Sequence, residues 1–170
     1  MSGIAINPAA TVDPDTPWLG LYQYWLDKHV DGRPPSRRDL DPPLEIPSLV
    51  ASMMLVEVVG EDFKYRLVGS RIASYLAFDA TGTTVGGNPW APDAVRAEWR
   101  RMIQTVRDTQ RPQMAITMPA PGNLRRGFCL ALPLVDEAGA TGQVLICIFA
   151  ERHGYGSKEL AGIDVFEFKP

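Results

Sequence analysis

Side chains able to do covalent, acid-base or metal chemistry are few and scattered in this 170-residue chain. There are two histidines, His29 and His153, and two cysteines, Cys129 and Cys147. Neither histidine has a second histidine or a cysteine at metal-ligand spacing, so both read as structural or surface residues. Each cysteine sits inside an apolar run, 128–134 or 144–149, where a free thiol behaves as a small buried hydrophobe. The carboxylates Glu57, Glu61, Asp62, Asp79, Asp93 and Glu98 are dispersed, and spacing alone pairs no two of them as acid and base. Gly82, Gly86 and Gly87 lack the lysine and the helix start of a phosphate-binding loop, and no nucleophile-elbow or dinucleotide glycine pattern occurs. The inventory points away from catalysis and from metal sites.

The pattern does supply apolar and cationic surface. Arg96, Arg100, Arg107 and Arg111 fall on one flank of a helix at about 100° per residue. Their plain reading is a solvated flank with snorkelling stems, and their functional one an anion or acidic-partner contact. A net charge of −3 lacks the surplus of lysine and arginine that bulk-charge binding of nucleic acid requires. At this length and 45% hydrophobic content, one core can form without disulfides or a structural metal. No apolar run approaches the roughly 20 residues that span a bilayer, and residues 1–16 lack the basic and hydrophobic regions of a secretory signal. The expected location is cytoplasmic.

These residues need elements to position them. Residues 1–15 carry no periodicity and read as a flexible tail. Thr16-Pro17 is a helix start, followed by Trp18, Leu21, Tyr22, Trp25, Leu26 and His29 on one face, with a stop near Gly32. So aromatic a face must lie against this domain or against a second copy of it. Prolines 34, 35, 42, 43 and 47 make 33–47 an ordered linker, in which Arg37, Arg38, Asp39 and Asp41 serve either as solvated surface or as caps and ion pairs.

Strands follow at 53–59 and 63–68 around a Gly60-Glu61-Asp62 turn, then a helix over 70–78 and a longer one from 92–93 to 109. The longer helix carries a stripe of Val95, Trp99, Met102, Ile103 and Val106. Three more strands are expected at 113–118, 126–134 and 142–150. The 2 + 3 grouping predicts an α+β domain over 48–152, an antiparallel sheet with helices on one face, and a C-terminal tail over 153–170. A curved sheet under helices can leave an apolar pocket, whose candidate walls are Phe63, Tyr65, Leu76, Trp99, Met102, Phe128 and Ile146.

The stretch Pro35-Ser36-Arg37-Arg38-Asp39-Leu40-Asp41-Pro42, then Ile46-Pro47, then 63–72 (FKYRLVGSRI), with Thr81-Gly82 and Leu132-Pro133-Leu134, resembles the single-domain PAS proteins of alphaproteobacteria. The resemblance runs from about Trp25 to Ala150. It implies a five-stranded antiparallel sheet with helices on one face and an N-terminal flanking helix, in a sensory and interaction module. Such flanking helices make homodimers, so Trp18, Leu21, Tyr22 and Trp25 become dimer or partner candidates.

Haem-binding PAS domains use a histidine on the long helix, and 70–109 contains none. Flavin photosensors of the family carry an asparagine-cysteine-arginine motif in the helical region, whereas both cysteines here lie late in the chain. Haem and covalent flavin are therefore disfavoured, and the cofactor stays unassigned. With no room in 170 residues for a kinase or cyclase output domain, the resemblance implies signalling by contact with a protein partner, gated by a small ligand. The alternative is a small enzyme or carrier on a curved-sheet scaffold, taking an apolar substrate.

Overall fold

The computed structural model describes residues 17–76, 78–87, 93–117, 127–150 and 164–167. Helix α1 spans Pro17–Asp27, and short helices α2 (Pro42–Glu45) and α3 (Pro47–Val50) follow in the linker. Strands β1 (Met53–Val59) and β2 (Asp62–Val68) form a hairpin; α4 (Ser70–Leu76) and α5 (Asp93–Thr109) come next, then β3 (Gln113–Thr117), β4 (Gly127–Val135) and β5 (Thr141–Ala150). The five expected strands are all present. A sixth, β6 (Asp164–Glu167), lies where the sequence pattern suggests only a tail. Four residues are too few to show a strand period, and main-chain pairing with β3 supplies what the pattern lacks.

The sheet runs β2-β1-β5-β4-β3-β6 with every pair antiparallel. β1 and β5 close the two strand groups onto each other, Met53 opposite Cys147 and Glu57 opposite Gln143. Successive side chains of a strand point to opposite faces, so the central strands feed two cores. Cys129, Ala131, Val144, Ile146 and Ile148 join Met102, Ile103 and Val106 of α5 on one face. Leu130, Leu132, Leu134, Leu145, Cys147 and Phe149 meet Leu21, Tyr24 and Trp25 of α1 on the other.

The end of α1 and the placement of Arg111 differ from expectation. α1 stops at Asp27, because the amides of Lys28 and His29 turn back to the carbonyls of Trp25 and Leu26 (3.2 and 3.1 Å). Asp31 and Gly32 then take left-handed φ values of 52° and 73°, and Val30 and Arg33 bond each other in a tight two-residue turn. An Asp-Gly pair favours that turn over another helical one. α5 ends at Thr109, as expected: Gln110 has φ 54°, and its side-chain amide donates to the Gly139 carbonyl at 2.7 Å. Arg111 therefore lies beyond the helix, not on the flank where a continued 100° rotation places it.

Pro133 occupies an internal strand without breaking it. β3 pairs with β4 only as far as Ala131, so at Pro133 one side of β4 has no neighbouring strand and needs no amide there. α1 and the linker complete that side: the Trp25 indole donates to the Pro133 carbonyl at 2.9 Å, and the Val135 amide donates to Pro35 at 3.0 Å.

Candidate functional site

Of the seven pocket candidates, Phe63, Tyr65, Met102 and Ile146 come together in the α5-side core, with Trp99 packed at its margin. Leu76 closes α4, and its side chain lies outside the described residues. Phe128 belongs to the opposite face, where its ring centroid is 5.4 Å from that of Trp18. Its neighbour Cys129 faces α5, and the two-residue period of a strand forces Phe128 the other way. Burial raises the Tyr65 hydroxyl pKa well above its ordinary value, with smaller contributions from Cys129 and Asp62. The Tyr65 phenol thus stays neutral and able to donate within the α5-side core.

The two thiols are free and buried, as their apolar surroundings suggest. Cys129 stands opposite Ile148, and Cys147 opposite Leu130, so they occupy opposite faces and cannot join. Burial raises both thiol pKa values, which keeps them protonated and unreactive.

The arginine row is drawn into local contacts. Arg96 pairs with Asp93, and Arg107 pairs with Asp108 while lying 5.8 Å from the centre of the Phe63 ring. Arg100 donates to the Glu61 carbonyl and sits 4.0 Å from Asp62, tying α5 to the β1–β2 turn. Burial alone would raise the Asp62 pKa. The Phe63 amide (2.8 Å), Thr84, the Gly86 amide (3.3 Å) and Arg100 outweigh it and hold the carboxyl below its usual range.

On the other face, α1 packs intramolecularly. Leu21 is wholly buried and Trp25 is 3% exposed, so neither is free for a second copy. Trp18 is half-buried against Phe128 and Phe149, and the Tyr22 ring lies 5.8 Å from Trp25. Leu26, placed by the spacing on the inner stripe, points out at 39% exposure beside Leu19 at 41%. The inner stripe turns through Tyr24 instead.

Tyr24 is the residue that periodicity missed. Its hydroxyl donates to Glu45 Oε2 at 2.6 Å and accepts from the Asp41 amide at 3.0 Å, while Lys28 pairs with Glu45. These contacts latch α1 to the linker. The PSRRD stretch builds the same corner: Asp39 accepts from the Ser36 amide and hydroxyl, both at 2.8 Å, Arg37 donates to the Leu40 carbonyl, and Asp41 caps α2. Asp39 and Asp41 act as caps and Arg37 as a donor to the main chain, fixing the linker, whereas the Arg38–Glu137 pair is exposed on both sides and adds little.

The Lys28 contact, then Tyr24, lower the Glu45 pKa. A carboxyl depressed in the folded state contributes stability above its unfolded pKa and loses it as pH falls through the folded value. Glu45→Ala is expected to cost about 1–2 kcal/mol at pH 7, by leaving the Tyr24 hydroxyl and the Lys28 ammonium without their acceptor. The difference from the unmodified protein should shrink as urea titrations move from pH 7 to below pH 4, and a constant difference would remove the latch.

A sheet of two antiparallel strand groups, 2 + 3, with helices against it and a flanking N-terminal helix is the architecture of PAS sensory domains. The chain belongs to the PAS domain family, whose model matches residues 15–148. Among solved structures it is similar to VqmA bound to DPO, at 13% identity and a TM-score of 0.47 over 59% of this chain and 52% of that one. It is also similar to a VqmA–ligand–DNA complex of Vibrio cholerae (14%, 0.45, 57% and 45%). A sensory box sensor histidine kinase of the same organism gives 15% and 0.47 over 64% and 90%. The chain spans about half the length of the VqmA chains. No curated protein matches it. No helix among the described residues is long and apolar enough to cross a membrane.

Proposed function

We propose that this PAS domain is a sensory module that takes a small apolar or amphipathic ligand on the α5 side of its sheet and reports it by protein contact through α1. The observation that carries this reading is the alternation of β4 and β5. Cys129, Ile146 and Ile148 pack beneath α5, while their immediate neighbours Leu130, Leu145, Cys147 and Phe149 pack beneath α1. Close-packed interiors transmit displacement, so a ligand wedged among Tyr65, Trp99 and Met102 moves the surface on which α1 rests. The ligand shifts the position of α1 only by binding one arrangement better than the other. Tyr65 supplies a neutral donor to such a ligand.

Native mass spectrometry of the purified protein beside a denatured sample tests ligand uptake. A co-purifying mass that is lost in Trp99→Ala supports the site, and a bare chain that retains no added apolar probe sinks it.

The second half of the proposal is a homodimer through the outer face of α1. Leu19 and Leu26 form an apolar outer stripe, with Val30 68% exposed in the turn beyond the helix, and a helix apolar on both sides is suited to burial on both. Leu26→Glu is expected to convert a dimer to a monomer in light scattering, with unfolding stability changed by less than about 0.5 kcal/mol beyond that lost with the dimer. A monomeric unmodified protein at 100 µM, on the order of a weak dimer's dissociation constant, would refute the dimer.

A further inference from the structure

We propose that the outer edge of β3 is a strand-acceptor site for an extended segment of acidic-apolar-apolar-acidic pattern, and that β6 is its built-in competitor. This goes beyond the ligand and α1 readings and does not depend on them.

β6 lies outside the part of the chain that matches the family. The family match stops at residue 148, and β1 to β5 already close both cores. In that five-stranded sheet β3 is an edge, with unpaired main-chain groups that accept another strand. β6 shows what such an edge accepts: Asp164, Val165, Phe166 and Glu167 stand antiparallel opposite Ile116, Ala115, Met114 and Gln113.

Among the described residues β6 pairs with β3 alone, at the sheet's margin. Ala150 pairs with Gly127, and Gly127 with Thr117, so β5 ends on the side of the sheet where β6 begins. Three strand spacings, roughly 15 Å, separate those points, and the thirteen residues 151–163 can reach about 45 Å. The connection has far more length than the crossing requires. Four residues paired along one side form few main-chain hydrogen bonds, which a longer partner strand can outcompete. Strand addition draws affinity from the main chain and selectivity from alternate side-chain positions, so the partner is an extended peptide of the same pattern as 164–167.

The probe is a fluorescent synthetic peptide of residues 161–170, titrated by anisotropy into the full chain and into Val165→Pro and Phe166→Pro. In an edge strand, alternate amides point toward the neighbour, so a proline at one of these adjacent positions removes a bond to β3 and at the other does not. At least one variant is expected to bind the peptide tenfold or more tighter than the unmodified protein, and a scrambled peptide is expected to bind neither. Two folded variants that bind no better than the unmodified chain overturn the acceptor site. Should either proline abolish the cooperative unfolding transition, hydrogen exchange of the unmodified protein decides: excess peptide leaves residues 113–117 protected if it replaces β6 while 164–167 become exposed, and unchanged protection of 164–167 at millimolar peptide overturns the proposal.

Discussion

Trp25→Ala is expected to destabilise the protein by about 3–5 kcal/mol, among the largest effects of any single truncation in this fold. Trp25 is 3% exposed, and its indole N–H closes the Pro133 carbonyl on the stretch of β4 that β3 does not cover. Its ring also meets the His29 ring edge-on at 4.2 Å and lies beside Tyr22. Alanine removes the ring, opens a cavity over the α1-side core and leaves a buried acceptor without a donor. For a chain of this size the thermal midpoint should fall by about 10 °C. Trp25→Phe separates the contributions, since it keeps most of the apolar contact and loses only the hydrogen bond, for about 1–2 kcal/mol. Equal losses for the two variants would mean that the hydrogen bond, not packing, holds α1. Loss of less than 1 kcal/mol in Trp25→Ala would mean that α1 does not rest on the sheet in solution, and the route from α5 to α1 would go with it.

Periodic elements were legible in the sequence and local exceptions were not. β1 was bounded to the residue at Met53–Val59, and β2 and α5 to within one, because alternation and a stripe of Trp99, Met102, Ile103 and Val106 mark faces that need burying. Both thiols could be assigned as buried for the same reason. The inner face of α1 was harder: an aromatic helix has apolar residues on every side, so periodicity cannot choose between Leu26 and Tyr24, and the choice falls to a hydrogen bond with Glu45 twenty-one residues away. Arg111 was misplaced because one left-handed residue, Gln110, ends a helix whose pattern could continue. The side of the sheet that Phe128 faces follows from register, which a strand's composition does not contain. Of the candidate pocket, sequence could propose the members but not their packing, since a core residue and a ligand contact are the same residue types. β6 escaped entirely, its evidence being a pairing partner fifty residues upstream.

Gly69→Ala should be the other severe substitution, and it probes how the sheet hands over to the α5-side helices. Gly69 is buried where β2 passes into α4, and its amide donates to the Met53 carbonyl at 2.7 Å. A β-carbon there would lie 2.6 Å from the Ala51 carbonyl carbon and 2.7 Å from the Val50 oxygen, with the Ala51 oxygen closer still. All three are backbone atoms, so no side-chain rotation relieves the clash. They are fixed in turn: Ala51 accepts from the Arg71 amide at 2.9 Å, and the Arg71 guanidinium donates to Ser52 at 3.0 Å. Relief requires α4 to move off the α3–β1 corner, breaking these bonds and disturbing Ile72, which is 2% exposed in the α5-side core. Overpacking of this kind costs about 3 kcal/mol or more, where an ordinary exposed glycine-to-alanine change costs a few tenths or is favourable. Gly87→Ala is the contrast, since its nearest clash is the Thr84 hydroxyl, a side chain that can turn away. Urea denaturation should rank Gly69→Ala far below Gly87→Ala, and a reversed or equal ranking would mean that the β2–α4 corner is looser than its hydrogen bonds indicate, leaving α4 free to move independently of β1.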